Sequence, residues 1–321
     1  MQLSIDLRTK LKNGAIAGVK KGWRSFIWIC KIVIPVSFLV AVLQWTGWLD
    51  YLDFLLNPVM NLINLPAEAA LPILTGMLVN LYACIAIVTV LPFTIEQMTL
   101  IAIFNMIAHG LIMEGIVQHQ SGLNVFKATA VRLIAAIVTV LIVSQFLGDT
   151  SQPIGAVAGT VVRVPFLEAL KSWGLGMRDL LLKILLIIIF IMVLLECLQA
   201  LDWMKHVLRF SSPLVRVIGL SRRTVLMWVA GTTFGLLFGG AVMAEESKKG
   251  VLTKDELERV HIFAGINHAM IEDPAYFAAM GLNPFWLWMP RFVMAVVAVQ
   301  SYNGFNRLKR MLRRNTIARP Q

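Results

Sequence analysis

Charge is scarce in this 321-residue chain. Asp, Glu, Lys and Arg together make up 15% of it, where an ordinary soluble domain carries about 25%. Too few charged side chains remain to cover a soluble globular surface, so that class is excluded. Cysteine is nearly missing: Cys30, Cys84 and Cys197 stand in separate apolar stretches without Cys-x-x-Cys spacing. That excludes a thiolate metal site and leaves reduced, unpaired thiols as the expectation. No Gly-x-Ser-x-Gly, His-Glu-x-x-His or phosphate-loop pattern occurs, and Gly174-x-Gly176 lacks the third glycine of a dinucleotide fingerprint. The chain therefore reads as a non-enzyme without a cofactor. A cleavable signal is also not evident, because the first apolar run has neither a short apolar region nor a small-x-small cleavage site.

What is present is mostly oil. Hydrophobic residues make up 58% of the chain and the mean hydropathy is +0.75, which places it among integral membrane proteins. The net charge of +11 does not imply a nucleic-acid partner, because Lys and Arg gather beside the apolar runs. That is the positive-inside pattern, and it reports topology. Membrane lipid is the first partner implied, and the plasma (inner) membrane is the expected location.

In chain order, residues 1–24 carry Arg8, Lys10, Lys12, Lys20, Lys21 and Arg24 and read as a basic amphipathic lead on the cytoplasmic surface. The first unit, 25–147, holds apolar segments near 25–45, 69–91, 98–117 and 127–147. Its loop 49–68 has Asp50, Asp53 and Glu68 but no Lys or Arg, so it is expected outside. A more polar connection, 148–179, leads to a second unit, 180–304, with segments near 180–201, 224–243, 260–280 and 285–303. The loop after Leu201 carries Lys205, Arg209, Arg216, Arg222 and Arg223 and is expected inside. Residues 305–321 form a basic tail, so both termini are expected in the cytoplasm.

The two units repeat. Lys31 and Lys183 are 152 residues apart, Pro58 and Pro213 and likewise Gly76 and Gly231 are 155 apart, and Phe104, Ile107, His109, Ile112, Glu114 and Arg132 recur 159 later as Phe263, Ile266, His268, Ile271, Asp273 and Arg291. The first unit starts inside and the second outside, so the repeats are inverted. Inversion needs an odd number of crossings, yet each unit has a fourth apolar segment. We assign the re-entrant one to the second of each unit, which is interrupted by Gly76, Asn80 and Cys84 or by Gly231, Gly235, Gly239 and Gly240. The fold expected is thus an all-α polytopic membrane protein of two inverted-topology repeats, each of about three transmembrane helices plus one broken or re-entrant segment.

Ionisable groups in such a setting are costly and mark function. The stretch Ala264–Pro274 holds Asn267, His268, Glu272 and Asp273, and helical periodicity would put His268 and Glu272 on one face. Its echo holds Asn105, His109 and Glu114. Opposed repeats would bring the two stretches together near mid-membrane, the arrangement of a secondary transporter. Arg132 and Arg291 read as helix-end anchors that snorkel or as partners of Glu114 and Asp273.

The run Asn267-His268-Ala269-Met270-Ile271-Glu272-Asp273-Pro274, with Gly231-Thr232-Thr233-Phe234-Gly235 before it and Arg291 after it, resembles the nucleoside recognition, or Gate, domain of bacterial and archaeal membrane proteins. The resemblance covers nearly everything after about residue 20, as two Gate repeats. It implies a permease-like protein for a small polar solute, nucleosides included. The candidate binding residues are His268, Asp273, Glu272, Asn267, His109, Glu114 and Asn105, with Asn80, Thr232 and Thr233 from the interrupted segments. Two other readings stand beside it. One is a non-transporting scaffold like the related spore maturation proteins. The other is a metal-ion channel or embedded metal hydrolase, in which His109, His268, Glu272 and Asp273 would supply two nitrogens and two oxygens. The oligomeric state is open, a homo-oligomer included.

Overall fold

Glycines four residues apart decide how the two longest helices meet. Helix α1 (Gln2–Thr46) and helix α8 (Phe166–Ala200) run antiparallel, with Gly14, Gly18 and Gly22 set against Cys197, Val193 and Ile189. A Cβ at Gly18 would stand 2.4 Å from the Val193 Cα, so only glycine allows this approach of backbone to backbone. Lys21 reaches Glu196 at 2.5 Å, and at the other end the Trp45 and Phe166 rings lie 5.0 Å apart.

This computed structural model describes residues 2–48, 53–152 and 165–317. Asp50, most of the first half of the 148–179 connection and Arg319 lie outside the described residues. All regular structure among the described residues is helical. The remaining helices of the first half are α2 (Asp53–Asn61), α3 (Ala70–Leu78), α4 (Leu81–Val88), α5 (Ile95–Ala108), α6 (Leu111–Gln120) and α7 (Val125–Leu147); those of the second are α9 (Met204–Ile218), α10 (Val225–Lys248), α11 (Lys254–Ile266), α12 (Glu272–Ala279) and α13 (Pro284–Ile317). Leu7–Thr46, Ile95–Gln120, Val125–Leu147 and Phe166–Ala200 are each long and apolar enough to cross a membrane.

Two boundaries differ from the expectation. The basic lead and the first apolar segment are one continuous helix, because the glycine face that binds α8 begins within the lead. Helix α8 starts at Phe166, so residues 166–179 belong to it and not to a connection. Its Trp173 donates to Ser37 Oγ at 3.1 Å and stacks edge-on against Phe38, contacts that hold the polar stretch helical.

The expected interruptions are present in the second segment of each half, and the first half has its own. The chain leaves helical geometry at Asn80 (φ −173°), which caps α4 by accepting from Ala83 N at 3.0 Å. The corresponding position 155 residues later is Gly235, which bends α10 at φ 73°. The third segments break as well, a feature the apolar pattern did not reveal. Helices α5 and α6 are joined through Gly110 at φ 53°, and α11 and α12 through Ala269 at φ 43°.

Contacts between helix ends fix the chain on either side of the broken segments. Asn64, just before α3, donates to Thr150 Oγ1, and Gln97, in the first turn of α5, donates to the Thr150 carbonyl. Thr150 thus joins the chain ahead of α3 to the start of α5. At the opposite end, Gln300 and Asn303 of α13 donate to the carbonyls of Ile218 and Gly219, and Asn306 donates to Asp255 at 2.8 Å. These bonds join α13 to the end of α9 and the start of α11, the helices before and after α10.

Candidate polar centre

Each histidine stands where a helix runs out. Helix α5 ends at Ala108 and α11 at Ile266, leaving carbonyls without helical partners. His109 Nδ1 lies 2.8 Å from the Asn105 carbonyl, which also accepts the His109 backbone N–H, and His268 Nδ1 lies 3.0 Å from the Ala264 carbonyl. A carbonyl only accepts, so both Nδ1 atoms carry a hydrogen and each ring turns its Nε2 inward. The two Nε2 atoms meet at 3.4 Å.

Buried arginines hold the same helix ends. Arg132 of α7 donates to the Ile107 carbonyl at 2.8 Å and to the His109 carbonyl at 2.7 Å. Arg291 of α13 donates to the His268 carbonyl at 2.8 Å. A cation at a helix C-terminus is favoured by the backbone dipoles, and in each half the arginine lies 23 residues after its histidine. Neither snorkels: their exposures are 1% and 0%.

Carboxylates approach from the next helix in each half. Glu114 sits in the first turn of α6 and Asp273 in that of α12, positions where a helix N-terminus favours negative charge. Glu114 Oε2 pairs with Arg132 at 2.7 Å. Its Oε1 lies 3.3 Å from His109 Nε2 and 3.4 Å from His268 Nε2. One carboxylate oxygen of Asp273 stands within 4.8 Å of ring nitrogens of both histidines. Asp273 is 6% exposed, and its Oδ2 has no hydrogen-bond partner.

The backbone repeats around this cluster. Gly110 N donates to the Gly76 carbonyl at 2.9 Å, and its counterpart Ala269 N donates to the Gly231 carbonyl at 3.3 Å. A Cβ on Gly76 would fall 1.9 Å from Asn105 Oδ1, and one on Gly231 would fall 3.2 Å from the Ala264 Cβ. Each broken segment is thus laced to the next at equivalent atoms.

His109, His268, Glu114 and Asp273 come together, with Asn105 buried one turn before His109 and Asn267 buried next to His268 in the chain. The other expected site residues do not join them. Glu272 does not share a helix face with His268, because the left-handed turn at Ala269 intervenes; it accepts instead from Tyr82 at 3.0 Å and Tyr276 at 2.7 Å. The Thr232 hydroxyl donates to the Trp228 carbonyl within its own helix at 2.7 Å. Thr233 is half-buried, and Asn80 is engaged as the α4 cap. Sequence reasoning undervalued Arg132 and Arg291 and missed Tyr82 and Tyr276. For the arginines, the equal spacing from histidine in the two halves was the available signal. A surface crevice of about 560 Å³ beside α7, lined by residues such as Asn61, Gln145 and Asp149, includes none of these side chains.

Comparison with known proteins places the chain in a family of membrane proteins, with the family match falling on the first half. The Gate family, described as nucleoside recognition, matches residues 26–161. An uncharacterized membrane protein of Bacillus subtilis (strain 168), YvoD, is 30% identical over 294 residues, covering 89% of this chain and 93% of its own length. No solved structure matches the chain.

Proposed function

Because this chain belongs to the nucleoside recognition (Gate) family of multi-pass membrane proteins, we propose that it is a permease for a small polar solute of the nucleoside class, which passes through the centre formed by His109, His268, Glu114 and Asp273. The observation that carries the reading is the recurrence of both helix interruptions, at Asn80 and Gly235 and at Gly110 and Ala269, around one buried polar cluster. Non-helical backbone at membrane depth is tolerated where it is buried in protein or lines a path, and inverted repeats with broken helices are the architecture of secondary transport. The antiparallel α1 and α8, together with the ties that flank the broken segments at opposite ends of the bundle, support an inverted relation between the halves. Rocking of one half against the other would expose the centre alternately to either side. The distribution of Lys and Arg supports cytoplasmic termini, and the plasma membrane is the location this reading proposes.

Uptake by proteoliposomes of labelled nucleosides, bases and similar solutes tests the proposal. At least one solute should accumulate above protein-free vesicles. His268→Ala and Asp273→Asn should each cut its uptake at least about tenfold, equivalent to ~1.4 kcal/mol of lost interaction. A folded, reconstituted protein that moves none of the panel would instead favour a scaffold role.

A further inference from the structure

From the shape of the polar centre we infer that it is a binding site for a borderline divalent metal ion of the Zn²⁺ or Co²⁺ class. His109 Nε2, His268 Nε2 and Glu114 Oε1 form a triangle with sides of 3.4, 3.3 and 3.4 Å. A tetrahedral ion held at about 2.0–2.1 Å from nitrogen and 2.0–2.2 Å from oxygen places its ligand atoms about 3.3–3.5 Å apart. The three atoms thus already stand as one face of a coordination tetrahedron. Asp273 forms with the two histidines a cluster whose ligand atoms lie within 4.8 Å of one another, and its buried Oδ2 lacks a partner, so a small closure of its side chain would supply the fourth ligand.

The surroundings fit the same assignment. Both Nδ1 hydrogens are committed to carbonyls, which fixes the tautomer a metal needs and orients each ring. The Arg132 guanidinium stands 2.7 Å from Glu114 Oε2 as an ion pair, while Oε1 faces the two Nε2 atoms. Two imidazoles and two carboxylates suit Zn²⁺ or Co²⁺ better than Mg²⁺ or Ca²⁺, which prefer oxygen alone. The charges of Arg132 and Arg291 oppose a cation, so the site should load and release its ion rather than lock it in place. The inference rests on the polar centre as the functional site and not on solute transport.

The test uses the full chain in detergent, stripped with chelator and titrated with Co²⁺. One Co²⁺ per chain should bind with the strong visible absorption of a tetrahedral centre and be displaced by Zn²⁺. Zn²⁺ should raise the thermal midpoint where Mg²⁺ does not. His109→Gln and His268→Gln should each weaken binding at least tenfold, while His119→Gln, at an exposed histidine outside the centre, should not. Where a histidine variant fails to fold, Asp273→Asn takes its place. Absence of the Co²⁺ band from folded parent protein, stabilisation by acid alone, or variants that bind as tightly as the parent would overturn the assignment. Solute uptake without metal binding overturns this inference and leaves the permease reading standing. Metal binding without uptake supports it and removes the permease reading.

Discussion

At the scale of the residue, the contrast between glycines is the sharpest test of the packing. A Cβ at Gly76 would overlap Asn105 Oδ1 at 1.9 Å, whereas Gly174 and Gly176 have nothing within 4 Å of the added atom. All three are helical. Gly76→Ala should lower stability by about 1–3 kcal/mol through overpacking, and Gly174→Ala should raise it by about 0.5–1 kcal/mol through helix propensity. Thermal unfolding in detergent reads both, and equal signs would contradict the packing around Asn105. The histidines and their acids were legible in the sequence because an ionisable pair stands out against an apolar background and recurs. The fate of Glu272 was not, since its partners Tyr82 and Tyr276 carry no mark in a linear pattern, and a periodic helix cannot foresee a left-handed alanine within it.

At the scale of the element, capping chemistry marks matching helix starts. Thr94 with Gln97 and Thr253 with Glu256 form capping boxes at the beginnings of α5 and α11, 159 residues apart like the histidines. These Thr-x-x-Gln and Thr-x-x-Glu signals were readable, whereas the breaks that end the same helices depend on tertiary hydrogen bonds to Gly76 and Gly231. Near the start of α11, outside the membrane-crossing segments, Glu258 ties three helices by accepting from Lys127 of α7 and, at 2.6 Å, from Tyr302 of α13. Burial opposes its ionisation, but the hydrogen bonds from Lys127 and Tyr302 outweigh it and hold the carboxyl below its ordinary value of 4.5. A depressed carboxylate contributes stability that is complete above the unfolded-state value and lost as pH falls through the folded-state value. Thermal midpoints measured from pH 7 to pH 3 should decline below about pH 4.5. Glu258→Gln should have a lower midpoint near neutrality and a shallower acid limb. An unchanged acid limb would show that this tie contributes nothing.

At the scale of the whole molecule, the all-helical class followed from hydropathy and the matching polar stretches from the internal repeats, but the eight apolar segments did not show the breaks that divide the described residues into thirteen α-helices. The joining of the lead to α1 did not follow, because Gly14, Gly18 and Gly22 acquire meaning only once α8 is known to lie beside them. The two ends of the bundle now give a direct check on topology. In a cysteine-free background, Gln152→Cys lies at the end that holds Thr150, and Lys254→Cys lies at the end that holds Asp255. A membrane-impermeant maleimide applied to intact cells should label position 152 and should reach position 254 only after permeabilisation. Equal labelling of the two would contradict the crossing pattern.

The length of α1 bears on the lipid as well. Its 45 residues extend about 68 Å at 1.5 Å per residue, whereas a hydrocarbon core of about 30 Å is crossed in about 39 Å even at a 40° tilt. Roughly 19 residues must therefore stand beyond the acyl chains. If Arg8, Lys10, Lys12, Lys20, Lys21 and Arg24 are among them, each cation near an anionic leaflet would gain about 1 kcal/mol. This same stretch is clamped, backbone against backbone, to the C-terminal half of α8. Any force on the basic stretch of α1 is therefore passed directly to α8, the helix that opens the second half.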